Sequence, residues 1–221
     1  LALGPDTRIV RNNVFLDSRN IDANNPRGVG MDGTIGANVE IYGNILAHQV
    51  SGTGNTKGMN LGGAYSGLQL HDNIVYDWVQ AVNNQAPAIA LEGSPATQVR
   101  VYNNQFQQAT GAIFQQFNPV PAGMYVYSGN KYYSSTNSVP FLESPSWMNY
   151  GQWLTFSGET GSQYTAVTYP DAGRTIATYM TSLGGSPSLD SFMAEARRQA
   201  KSNWRQEYTA AGVAQYIRAG F

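Results

Sequence analysis

Apolar and polar residues alternate in short runs along the first 140 residues, and the runs recur about every thirty residues. Each run leads into a turn that contains an asparagine, and a second apolar run usually follows it. The turn asparagines are Asn13, Asn44, Asn73, Asn104 and Asn130, separated by 31, 29, 31 and 26 residues. Alternation with a period of two predicts short β-strands with one buried face. A repeat of this length predicts a stacked, solenoidal architecture.

A second apolar strand precedes each alternating run and keeps the same phase. Leu3, Met31, Leu61 and Leu91 mark it, at spacings of 28, 30 and 30 residues, and residues 113–116 look like a degenerate fifth copy. One unit is therefore strand, short turn, strand, asparagine turn and apolar strand, followed by a variable loop. Strands this short must be buried on their neighbours. The pattern predicts an all-β solenoid, a right-handed parallel β-helix with one unit per coil.

Two physical properties favour asparagine at this turn. Asparagine tolerates the left-handed backbone region, and its side-chain amide can bond the equivalent amide of the next coil. The alternative is an antiparallel sandwich with polar turns. Sandwiches rarely keep a strand, turn, strand, asparagine, strand register over four units, so the β-helix is favoured.

The repeat stops after Pro140, which divides the chain in two. Residues 1–140 are predicted to form a β-helix of about five coils. Residues 141–221 are predicted to form an irregular aromatic segment and then α-helices that cap the solenoid. Leu1 falls inside a coil, so the first coil is incomplete. We expect a missing upstream segment or a second copy of the chain to cover this end, because an open coil exposes a strand edge.

Helical periodicity and capping residues predict three helices in the C-terminal segment. The first follows Asp171 and stops at two glycines, the second begins after Ser188, and the third begins after Thr209. Serine and threonine are favoured N-caps, and apolar residues recur at helical spacing after each start.

Composition narrows the classes of function. Lysine and arginine total 13 and aspartate and glutamate 14, so the net charge of −1 predicts no nucleic-acid partner. No apolar run reaches the ~18 residues of a membrane span, so we expect no membrane insertion. The absence of cysteine excludes disulfides and thiolate metal sites. Abundant glycine with few charges suits an extracellular, cell-surface or periplasmic β-rich protein.

The candidate chemistry rests on columns of equivalent residues in successive coils. Arg27 and Lys57 occupy one column, close enough for both to meet one anionic group. Two cations of this kind can neutralise the carboxylate of a uronic-acid unit, and one can act as the base of a β-elimination. They are the candidate catalytic residues, together with His48, which would assist proton transfer.

A second column, formed by Asp32, Gly62, Glu92 and Gln116, holds candidate ligands for the substrate. Asp32 and Glu92 would bind sugar hydroxyls or Ca²⁺, although they lie two coils or about 10 Å apart. The same two carboxylates are the candidates for a glycoside hydrolase, the runner-up enzyme class.

Further candidates lie on and around the predicted outer face. Gly30, Asn60 and Ala90 point outwards and are small, which predicts a flat, open surface for an extended polymer. Asn60, Tyr65 and His71 are further candidates for substrate binding. Exposed aromatic rings stack on sugars.

The chain resembles the pectate-lyase-like right-handed parallel β-helix superfamily. The resemblance rests on residues 44–49 (Asn-Ile-Leu-Ala-His-Gln), 72–78 (Asp-Asn-Ile-Val-Tyr-Asp-Trp) and 11–15 (Arg-Asn-Asn-Val-Phe), and it covers residues 1–140. In that superfamily such turns are a feature of the fold, so the resemblance implies a right-handed parallel β-helix. It also implies a secreted polysaccharide lyase.

Two functions are therefore expected from the sequence. The first is lyase-type β-elimination on an acidic, uronic-acid polysaccharide. The alternative is a non-catalytic, glycan-binding or structural surface scaffold of the tailspike type, which would assemble with copies of itself.

Overall fold

The computed structural model describes residues 8–16, 27–31, 36–49, 57–62, 65–78, 88–92, 97–108 and 111–221. The chain divides into two compact units, Leu1–Val167 and Thr168–Phe221. The first is a parallel β-solenoid and the second is helical, so the predicted fold class is confirmed.

Three parallel sheets form the sides of the solenoid, and each coil adds one strand to each sheet. Sheet A consists of Arg8–Arg11, Val39–Tyr42, Gln69–His71, Arg100–Tyr102 and Val126–Ser128. Sheet B consists of Val14–Leu16, Ile45–Ala47, Ile74–Tyr76, Gln105–Gln108, Lys131–Ser134 and Gln163–Tyr164. Sheet C consists of Arg27–Met31, Lys57–Leu61, Ile89–Leu91, Phe114–Gln116, Phe141–Glu143 and the antiparallel Ser146–Met148. Gly36–Ala37 and Tyr65–Ser66 form a small fourth sheet.

The turn asparagines form the predicted ladder between sheets A and B. In its buried centre, Oδ1 of Asn104 accepts hydrogen bonds from the backbone nitrogen (3.1 Å) and the side-chain amide (2.9 Å) of Asn73. The same pair of bonds joins Asn44 to Asn73 and Asn104 to Asn130. The ladder satisfies buried polar groups and fixes the register of each coil on the next.

One part of the expectation for this turn is wrong. The left-handed residue is the one before each ladder asparagine, with φ between 53° and 65°, and not the asparagine itself. The left-handed residues are Asn12, Gly43, Asp72, Asn103 and Gly129. The ladder asparagine can therefore turn its amide inwards while its neighbour makes the bend.

The ladder ends on a carboxylate. Oε1 of Glu159 accepts a hydrogen bond from the amide of Asn130 (2.7 Å), and Oε2 accepts from Tyr132 Oη (3.0 Å) and Trp153 Nε1 (3.1 Å). Burial raises the pKa of Glu159, and the bonds from Asn130, Trp153 and Tyr132 oppose that rise. A carboxylate suits a position where only donors converge.

A helix that the sequence did not predict closes the core of the first unit. Helix α1, Tyr150–Ser157, begins at Asn149 with a capping box and places the fully buried Trp153 in the core. The Trp153 ring lies 5.1 Å from the ring of Phe114 and 4.9 Å from that of Phe141. Together with strands up to Gln163–Tyr164, this helix extends the solenoid unit past residue 140.

The second unit contains three further α-helices. They are α2 (Ile176–Ser182), α3 (Leu189–Arg197) and α4 (Ala210–Arg218), with a short 3-10 helix at Gln206–Tyr208. The predicted caps of α3 and α4 are confirmed: Ser188 and Thr209 accept from backbone nitrogens of the first turn. Helix α2 follows Asp171 and ends before the two glycines, as predicted, and its N-cap is Thr175. No helix in the described ranges is long and apolar enough to cross a membrane.

A buried acid on sheet C makes stability depend on pH. Glu143 is 8 % exposed, and its Oε1 accepts a 2.6 Å hydrogen bond from the backbone nitrogen of Val120. Burial raises the pKa of Glu143 from 4.5 to about 7, although the hydrogen bond from Val120 opposes the rise.

The folded state therefore binds this proton more tightly than the unfolded state does. The contribution to stability is complete below pH 4.5 and is lost as the pH rises through about 7. We expect the free energy of unfolding from denaturant titrations to fall over this window, and to fall less in Glu143→Gln. The raised pKa of Glu159 contributes a fall in both chains. An identical pH slope in the variant would contradict the assignment.

Candidate functional site

The register of sheet C brings two predicted residues into adjacent coils. Arg27 pairs with Lys57, and Gly30 pairs with Asn60 on the same two strands. The predicted column is therefore present in the backbone. The side chain of Arg27 and the whole of Asp32 lie outside the described residues.

The ammonium of Lys57 forms an ion pair with the carboxylate of Glu92, so the structure joins two predicted site residues. The Lys57 side chain is 6 % exposed and that of Glu92 is 28 % exposed. A carboxylate this close stabilises the charged ammonium. The pair is thus a buried cation beside a carboxylate that solvent reaches.

The loop after the strand Phe114–Gln116 completes this site. The ring centroid of Phe117 lies 5.5 Å from Lys57 Nζ, and 38 % of Phe117 is exposed. Asn118 donates through its side-chain amide to the carbonyl of Glu92 (2.9 Å), and Gln116 donates to the carbonyl of Asn118 (2.8 Å). Phe117 follows Gln116 as Glu92 follows Leu91, so it continues the column of Glu92 into the next coil. The sequence did not predict Asn118 as a site residue.

Two expectations for sheet C are wrong. Asn60 and Ala90 are fully buried, so the flat, open face predicted at these positions does not exist. Gln116 is the register partner of Leu91 and not of the residue after it, because the fifth copy is shifted by one residue. This shift places Gln116 in the row of buried residues that contains Leu61 and Leu91.

The predicted hydrolase pair of Asp32 with Glu92 stays a prediction, because Asp32 lies outside the described residues. Glu143 is the register partner of Gln116, and its carboxylate is held by the backbone of the core residue Val120. The carboxylate of Glu92 is held instead by Lys57, beside exposed Phe117. An acid and a base that flank one glycosidic bond must face one cleft.

The candidate His48 lies beside sheet B, directly after the strand Ile45–Ala47. It has a left-handed backbone (φ 57°), and its Nδ1 is 3.6 Å from Oδ2 of Asp77. Its ring meets that of Tyr76 edge-to-face at 5.7 Å. The structure therefore places His48 on a different sheet from Lys57.

The candidate His71 lies in an aromatic stack on sheet A. Its ring is nearly parallel to those of Tyr42 and Tyr102, at centroid distances of 5.0 and 4.6 Å. Its two nitrogens face Glu40 (3.2 Å) and Asp72 (2.8 Å). Both faces of the ring are covered and both ring nitrogens have acidic partners, so the contacts of His71 are those of a structural residue.

The remaining candidates for substrate or metal binding are less defined. Tyr65 belongs to a short strand, but its side chain is outside the described set. Within the described ranges, no group of three or more histidine, aspartate and glutamate side chains is arranged to hold a metal ion. Glu92 by itself does not make a calcium site, so no chemical step is assigned to Ca²⁺.

Comparison with protein-family models, with curated proteins and with solved structures finds no match to this chain. The function must therefore be argued from the geometry of its own residues.

Proposed function

We propose that this chain is a carbohydrate-active β-solenoid that acts on an acidic polysaccharide by lyase-type β-elimination at the Lys57 site. The observation that carries the proposal is the ion pair of buried Lys57 with the partly exposed Glu92, beside the exposed ring of Phe117. A cation can bind the carboxylate of a uronic-acid unit, a carboxylate can accept hydrogen bonds from its hydroxyls, and an apolar ring can stack on its C–H face.

Each residue has a role in the proposed reaction. Lys57 exchanges its partner Glu92 for the substrate carboxylate and neutralises it, which acidifies the proton on the adjacent carbon. Arg27, in the neighbouring coil, is the candidate base, and it takes this proton with its guanidine in the neutral form. The electrons form a carbon–carbon double bond, the glycosidic oxygen on the β-carbon leaves, and water protonates that oxygen. Glu92 then accepts hydrogen bonds from substrate hydroxyls.

One observation favours a second function, a non-catalytic glycan-binding or structural scaffold. Glu92 already neutralises Lys57, as a purely structural ion pair would. The two functions differ in whether product forms, so one assay separates them. An extracellular or periplasmic location accompanies either function and stays a prediction.

The test mixes the purified chain with pectate, alginate and glucuronan, each with added calcium and with a chelator. β-Elimination creates an unsaturated uronate that absorbs ultraviolet light, and we expect the absorbance to rise with at least one polymer. Heat-unfolded protein is the control. A flat trace with every polymer, from protein shown to be folded by circular dichroism, would exclude lyase activity on these substrates and favour the scaffold.

A further inference from the structure

A groove of about 570 Å³ opens on sheet A, away from the sheet that carries Lys57. Its polar lining comes from Asn38, Gln69, Gln98 and Arg100, and Val126 contributes apolar surface. This volume is in the range of ligand-binding clefts, roughly 300–1,000 Å³. No residue of the Lys57 site lines it.

The cation that lines this groove is Arg100. Arg100 is exposed, and its register partners on either side are the uncharged Gln69 and Val126. Among the residues that the structure describes, no carboxylate pairs with Arg100. The planar guanidinium of an exposed arginine can donate two parallel hydrogen bonds to one carboxylate.

The amides around Arg100 are set to donate hydrogen bonds. The Tyr102 hydroxyl donates a hydrogen bond to Oε1 of Gln69 at 3.4 Å, so the amide oxygen of Gln69 already has a donor. The amide nitrogen of Gln69 has no acceptor within the described part of the chain. Hydroxyl and carboxylate oxygens of a sugar fit such donors.

The rim of the groove contains a strained turn. Asn38, Gly67 and Gln98 occupy equivalent turns of three successive coils, with φ of 55°, 75° and 57°. Glycine adopts this backbone without strain, whereas glutamine rarely does. A strained backbone conformation at the rim of a polar groove is an observation that points to binding.

We infer that the sheet A groove binds a carboxylate-bearing unit of an extended polysaccharide, with Arg100 on the carboxylate and the amides of Gln69 and Gln98 on the hydroxyls. Since coils repeat about every 4.8 Å, a chain lying along the solenoid axis meets one such turn per coil. The inference takes its ligand class from the proposed function but uses different residues. The groove would hold the polymer while the Lys57 site acts on it.

The test measures binding of unesterified oligogalacturonate by calorimetry. Titrations use the Lys57→Ala chain beside the wild type, so that cleavage cannot consume the ligand. In that background we expect Arg100→Gln to weaken binding roughly ten-fold to a hundred-fold, the effect of losing a charged hydrogen-bonding partner. The control Arg197→Gln removes the same charge from an exposed position on α3 and should change nothing.

Two further measurements separate recognition from unfolding and from general charge attraction. Gln98→Gly removes the backbone strain at this left-handed position, so the melting temperature of the variant should not fall. Its affinity for the oligomer should fall, because the amide is lost. Methyl-esterified oligomer should bind the parent chain as weakly as the acid binds Arg100→Gln. Equal affinity in Arg100→Gln, an equal loss in Arg197→Gln, or no binding of the acid would overturn the inference. Failure of product formation in the wild type leaves this binding result intact and refutes only the lyase proposal.

Discussion

Replacing Lys57 with alanine is expected to lower kcat/KM for β-elimination roughly 100-fold to 1,000-fold, the usual effect of removing one preorganised charge from an active site. Lys57 is the described cation next to Glu92 and Phe117, and it would neutralise the substrate carboxylate as negative charge develops. The initial rate of unsaturated-uronate formation measures the effect. The fold should survive, because the Glu92 side chain is 28 % exposed and water can solvate its carboxylate.

Lys131→Ala is the matched control for this experiment. Lys131 is an exposed lysine on a sheet B strand, so its loss removes the same charge outside the site. Its rate should equal that of the wild type. A Lys57→Ala chain that is folded and keeps more than about half of the wild-type rate would show that the cation is structural, given the size of the effect expected.

Asn104→Ala is expected to destabilise the solenoid by about 4 kcal/mol or more, which is a large effect for one substitution. The fully buried Asn104 amide donates to the carbonyls of Leu70 (2.9 Å) and Tyr102 (3.0 Å) and to Oδ1 of Asn130 (3.0 Å). Its Oδ1 accepts two bonds from Asn73. Alanine leaves these buried groups unpaired, and each unpaired group costs about 1–3 kcal/mol.

Asn103→Gly tests the neighbouring residue of the same turn. Asn103 is exposed with φ 54°, and the equivalent residues of two other coils are Gly43 and Gly129. Glycine adopts this backbone freely, so the free energy of unfolding should change by less than about 0.5 kcal/mol. Denaturant titration followed by circular dichroism measures both variants. A similar, small loss in both would mean that the ladder does not hold the register.

The solenoid could be predicted because its information is local and repeated. Alternation of period two identified the strands, and the spacing of the turn asparagines aligned one coil on the next. The pairing of Arg27 with Lys57 followed from the same alignment. The prediction failed where a copy was degenerate: the strand Phe114–Gln116 is shifted by one residue, which moves Gln116 onto a buried row. A shift of one residue turns every side chain of a strand to the opposite face.

The sequence by itself therefore determined the repeat, the sheets it builds and the ladder that aligns them, because each depends on residues a fixed distance apart. The tertiary structure alone decided which groups meet across that repeat. It brought Glu92 and Phe117 to Lys57, covered Asn60, ended the ladder on Glu159 and gathered a groove around Arg100. These contacts depend on unrepeated loops and on burial. No periodicity encodes them, because a loop folds against whatever surface the packed coils present.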